Sequence, residues 1–156
     1  MARLNVTGLN ETIESMKRMG QLAGPVADAM ILSGAAIIRE HWVASAESHG
    51  HVDTGDMIAS IRYARQPKDV GGMRVLDVYP QGKDEKGVRN AEKAFILHYG
   101  SSSIRASRWV KEAEESGDLP AGLAMIRIWD EFIETGRVPA VAAPKLTKRT
   151  RKTGRT

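Results

Sequence analysis

The sequence predicts an α+β fold, with long N-terminal helices and a C-terminal helix packed on a small antiparallel β-sheet, on three observations. Apolar residues recur at helical spacing over about 24–47, 90–99 and 120–135. Between the first two of these, residues 73–80 change to a period of two, as a half-buried strand requires. Glycines stand where two of the helical periods stop, at Gly100 and Gly136.

Taken in order, RLNVTG at 3–8 alternates Leu4 and Val6 with polar neighbours and predicts a short strand ending at Gly8. Asn10 then caps a helix through Ile13, Met16 and Lys17 to Met19, stopped at Gly20. Gly24-Pro25 opens the longest helix, with proline in the first turn, where its missing N–H costs nothing. Val26, Met30, Ile37, Ile38, His41, Trp42 and Ser45 carry its stripe to about residue 47. Gly34 lies on that stripe and costs about 1 kcal/mol of helix propensity relative to alanine, so it predicts close approach of another backbone. Thr54 or Asp53 caps a short turn carrying Met57, Ile58 and Ile61. Segments 61–66 and 73–80 form a hairpin about turn residues 67–72, and QGKDEKGVRN at 81–90 is a charged loop.

In NAEKAFILHYGSSSIRASRW, residues 90–109, a helix face holds Ala91, Ala94, Phe95 and His98, with Leu97 and Tyr99 beside it and Glu92 and Lys93 outward. Gly100 ends this helix, because the left-handed terminal conformation carries a Cβ penalty for other residues. The serine loop 101–103 follows, Ile104 and Trp109 pin the chain again, and Ser107 caps a helix through Trp109, Val110 and Ala113. That helix stops at Gly117. Pro120 starts a final one carrying Leu123, Ile126, Ile128, Trp129, Phe132 and Ile133, closed by Gly136. Residues 1–136 thus form one domain, and 137–156, without periodicity, an extended basic tail.

Zero cysteines exclude a disulfide scaffold, a thiolate zinc site and a cysteine nucleophile. No stretch reads as the roughly 20 apolar residues of a membrane span, and MARLNVTG is no signal peptide, so a soluble, untargeted chain is expected. The net charge of +4 belongs to the end of the chain. Without Lys145, Lys148, Arg149, Arg151, Lys152 and Arg155, 17 basic residues face 19 acidic ones.

Asp53-Thr54-Gly55 matches the aspartic-protease triplet, but His49, Gly50 and His51 precede it where that site needs apolar residues, and a helix cap is the better reading. His49, His51 and Asp53 alternate as metal ligands could, but a fourth ligand at suitable spacing is missing and a glycine separates the histidines, so a solvated loop is the better reading. His41 and His98 lie on apolar helix faces and read as core or interface, and Trp42, Trp109 and Trp129 sit on helix stripes and read as core before they are ligand platforms. No nucleophile elbow or phosphate loop is present, and nothing asks for a cofactor. Six cations without aromatics attract phosphates but read no bases, so any nucleic-acid contact of the tail would be sequence-independent and salt-sensitive.

VTGLNETIESMKRM, DTGDMIASI and NAEKAFILHYGSSSIRASRW, in that order and spacing, resemble a family of neck or tail-completion proteins of long-tailed bacteriophages over about residues 5–135. The matching positions are Val6, Gly8 and Leu9; Asp53, Thr54, Gly55, Ser60 and Ile61; Ala94, Tyr99, Gly100 and Ser101; Ala106 and Trp109. His98 replaces the family's usual glutamate, Ser101 its threonine, and Arg108-Trp109 its Pro-Phe pair, so the arm after Gly100 docks in its own way. The resemblance implies a non-enzymatic virion protein assembled in the host cytoplasm. It would form a six-fold or twelve-fold ring at the head-tail junction, against adjacent head-connector and tail-terminator or tail-tube proteins. Asp53, Thr54, Gly55, Tyr99, Gly100, Ser101, Arg105, Arg108 and Trp109 become its structural or interface residues, and the six tail cations its contact to DNA or to a neighbouring protein. The alternative is a sequence-independent nucleic-acid-binding protein acting through that tail.

Overall fold

A computed structural model describes residues 9–142. Its frame is a pair of long helices, α1 (Leu9–Ser48) and α4 (Trp109–Thr135). Ser45 Oγ donates to the Trp109 carbonyl at 2.8 Å near one end, and Gly34 lies against Met125 further along, so the two run antiparallel. The chain between them forms α2 (Asp56–Ala59), β1 (Ile61–Arg62), β2 (Lys68–Val70), β3 (Met73–Val75), β4 (Tyr79–Pro80) and α3 (Asn90–Tyr99). This is an α+β fold, and its strands form two small antiparallel pairs, β1 with β4 and β2 with β3. The expected strand at 3–8 lies outside the described residues.

Both predicted helix breaks are absent. α1 runs through Gly20, Gly24 and Pro25, and α4 runs through Gly117 and Pro120. A mid-helix proline costs its own N–H bond and leaves the carbonyl four residues back without a donor. Here those carbonyls belong to Gln21 and Ser116, both exposed residues, and a carbonyl open to solvent can be satisfied by water. Gly117 and Gly34 are instead contact points. A Cβ on Gly117 would stand 3.1 Å from Ile38 Cδ1 and 3.3 Å from His41 Cβ, and one on Gly34 would stand 3.1 Å from Met125 Sδ and 3.8 Å from the Ala121 carbonyl. Local stop signals yield to helix–helix packing here.

α1 also corrects the membrane expectation by composition. An 18-residue window within it reaches a mean hydropathy of 1.4, apolar enough to cross a bilayer. In this fold α1 carries buried Val26, Ala29, Ala35, Trp42 and Ala46.

The hairpin is shifted from its expected place. Its turn is Gly71-Gly72, with φ of 60° and 81°, the positive pair that a two-residue antiparallel turn requires. Asp69 Oδ1 accepts from the Gly72 N–H at 3.0 Å and closes it. Residues 63–67 oppose only 76–78, so the two strand pairs are separated by a bulged segment containing Pro67, whose ring keeps it out of a ladder.

The core joins all layers: Trp42 and Ala46 of α1, Met57 and Ile58 of α2, Ile61 of β1, Ala94 of α3, and Trp109 and Ala113 of α4. The Trp42 and Trp109 rings meet edge to face at 5.4 Å between centroids, a favoured aromatic arrangement. Beyond Gly136, Pro139 is still buried.

Candidate functional site

The resemblance motifs at 53–55 and 99–109 are far apart in sequence and converge at one end of the frame. After α1, His51 N–H bonds back to the Ala46 carbonyl at 2.9 Å, which turns the chain into the 50–55 loop. Gly55, with φ 74°, is the residue that precedes α2; neither Asp53 nor Thr54 occupies that position. Thr54 Oγ1 does accept from the Asp56 N–H at 3.4 Å and donates to Asp56 Oδ2 at 2.9 Å, so its hydroxyl braces the turn from one residue further out. Asp53 is exposed.

Across from this loop, α3 ends as the sequence requires. Gly100 sits at φ 82° and ψ 177°, a region essentially open to glycine only, rather than the left-handed helical conformation expected. The arm that follows is closed on itself: Ser101 N–H donates to the Ile104 carbonyl at 2.8 Å, and Ser101 Oγ accepts from the Ser103 and Ile104 N–H groups at 3.3 and 3.2 Å. It then clips onto the end of α3. Both the N–H and the Oγ of Ser107 donate to the Leu97 carbonyl, at 3.1 and 2.7 Å, and Arg108 N–H donates to the His98 carbonyl at 3.1 Å.

Two expectations are corrected here. Ser107 does not cap α4, because its hydroxyl is committed to α3; the capping position is Arg108, the single non-glycine residue with positive φ (56°) among the described residues. On α3, Ala94 faces the core as expected, but Ala91 is exposed, and Phe95 and Tyr99 lie 61% and 65% exposed, their rings tilted against each other at 4.6 Å between centroids. The buried side is rotated toward Asn90 and Leu97. Lys93, expected outward, is half-buried, and its Nζ lies 2.5 Å from Asp84 Oδ2. That hydrogen bond, supported by the N–H groups of Val88 and Lys86, holds the Asp84 carboxyl below its ordinary range.

Loop and arm enclose an open cleft of about 340 Å³, lined by His51, Asp53, Thr54 and Gly55 on one side and by Lys93, Ile96, Leu97 and Ile104 on the other, with Met57 at its base. Sequence reasoning did not foresee it, since neither segment carries a cavity signal alone.

A second unforeseen feature is the seam of histidines. All four bond to residues 107–116: His41 Nδ1 to Ser116 Oγ at 2.8 Å, His49 Nε2 to Glu112 Oε2 at 2.6 Å, His51 Nε2 to Ser107 Oγ at 3.0 Å, and His98 Nδ1 as acceptor of the Val110 N–H at 3.3 Å. His49 and His51 stack at 5.8 Å. Burial, and then the charge of His49, lower the His51 pKa from 6.5. These rings are occupied as latches, and no group of three histidine or carboxylate side chains suited to a metal occurs among the described residues.

Of the other residues singled out, Trp109 is fully buried and anchors α4 in the core instead of meeting a partner, whereas Ser101, Arg105 and Arg108 are exposed along the arm. Lys145, Lys148, Arg149, Arg151, Lys152 and Arg155 lie outside the described residues. Comparison of the chain with protein-family models, with curated proteins and with solved structures gave no match.

Proposed function

We propose that this chain is a structural subunit of an oligomeric ring at the head-tail junction of a long-tailed bacteriophage, a neck or tail-completion protein with no reaction of its own. Two of the three segments that carry the resemblance meet at one cleft and arm, which supports it. The observation that carries most weight is the distribution of apolar surface. Leu119, Leu123, Ile126, Trp129 and Ile133 of α4, Ile13, Met16 and Met19 of α1, and Phe95 and Tyr99 of α3 are all substantially exposed. Patches of this extent on a polar-rimmed surface mark contacts with other protein. A ring subunit needs such surfaces on more than one side, toward its own copies and toward adjoining rings.

The test is twofold: imaging of the purified chain for closed rings, six-fold or twelve-fold, and localisation of the chain within intact particles. Rings, together with density at the neck, are expected. Mature particles devoid of the chain would refute the proposal.

A further inference from the structure

Two apolar stripes are left without a partner among the described residues. The first runs along α4. Ala113, Gly117, Ala121 and Phe132 form its buried side, and Leu119, Leu123, Ile126 and Ile133, at helical spacing on the opposite side, are 72%, 47%, 53% and 48% exposed. With Trp129 beside them they leave on the order of 500 Å² of apolar surface, at the upper end of what a monomer keeps in one patch. The second stripe is Ile13, Met16 and Met19 on the first turns of α1, where every residue from 11 to 21 is exposed.

These stripes cannot meet within one molecule. The contact of Gly34 with Met125, in helices set antiparallel by the contact of Ser45 with Trp109, places the last turn of α4 opposite about residues 24–27 of α1, so the start of α1 projects roughly 20 Å beyond it at 1.5 Å per residue. The α4 stripe meanwhile faces directly away from α1. Gly20 adds an observation of its own. A Cβ there would meet nothing within 4 Å, so this helix-weakening residue makes no close packing contact among the described residues. It lies on the same side as Ile13 and Met16, where it would let a second helix approach closely.

We propose that the projecting start of α1 in one copy lies along the outer face of α4 in the next, joining subunits head to tail. This rests on the ring reading above and names its subunit interface. Charge selects the occupant. Residues 111–135 hold seven acidic and two basic side chains, so pairing α4 with α4 would set like charges together. Residues 11–20 are balanced, Glu11 and Glu14 against Lys17 and Arg18, and bring an apolar, methionine-rich stripe that adapts to the surface it meets. A contact between two different patches is heterologous, and such contacts close into rings when the rotation between copies allows.

The test uses two full-length variants at exposed positions, Met16→Asp and Leu123→Asp, checked for helix content by circular dichroism and examined by sedimentation velocity. Wild type is expected to assemble, and each variant alone to need at least tenfold higher concentration. Mixed in equal amounts, they should form heterodimers and nothing larger, because each supplies the one stripe the other lacks. Assembly of either variant alone at the wild-type concentration overturns this interface while leaving the ring reading in place. A mixture that stays monomeric also overturns it, and assigns the two stripes to separate occupants, such as the cationic C-terminal segment on α4. Wild type that is monomeric at every concentration removes the ring reading and this interface together.

Discussion

Gly100 bears two constraints at once. Its φ of 82° with extended ψ is a glycine conformation, and a Cβ would stand 2.7 Å from the Ile104 carbonyl oxygen and 2.8 Å from Ala106 N. Gly100→Ala should therefore cost about 2–3 kcal/mol, seen as a lower urea midpoint, because backbone strain and collision add. An unchanged midpoint would mean that the arm does not fold back here. His51 offers a pH test. Its folded pKa lies below 6.5, so below that value the unfolded chain takes up the proton more readily and stability falls as pH drops through the folded pKa. His51→Gln keeps a polar partner for Ser107 without an ionisation. Its thermal midpoint should fall less than that of wild type between about pH 7 and pH 5, and equal slopes would remove His51 as the cause. The helix stop at Gly100 was legible in the sequence from the glycine alone. The latching of His51 was not, since its partner Ser107 is 56 residues away.

At the scale of elements, the same residue type plays opposite parts on α1 and α4. Gly117→Ala would press a methyl into Ile38 and the fixed Cβ of His41, and the collision should outweigh the gain in helix propensity, with a net loss of roughly 1 kcal/mol in denaturant titration. Gly20→Ala meets open space, and should stabilise the unassembled chain by up to about 1 kcal/mol. If both substitutions moved stability in the same direction, the assigned helix contact would be wrong. Pro25 and Pro120 were read as helix starts because proline is favoured there. Inside continuous helices they are tolerated because the carbonyls they orphan lie on exposed residues, which the order of residues alone does not reveal.

For the molecule as a whole, charge and burial are segregated. The body is slightly acidic and the excess of cations lies past residue 144. If those six charges meet phosphates, binding of duplex DNA should weaken with salt at a logarithmic slope of up to about −5, by the usual 0.9 per phosphate contact. Removal of residues 143–156 should abolish that binding and leave the thermal midpoint of the body unchanged. Retained binding by the truncated chain would move the contact to the body.

By itself the sequence determined the α+β class, the short helix that ends at Gly100, the glycine that closes α4, and the concentration of positive charge at one end. Each of these is fixed by neighbours within a few residues, through periodicity, a single backbone conformation or simple counting. Only the tertiary structure decided that α1 and α4 run unbroken, that Phe95 and Tyr99 face outward, and that the 53–55 loop and the arm share a cleft. Those outcomes depend on which surfaces meet, and burial against a distant helix outweighs the modest local preferences that sequence patterns report.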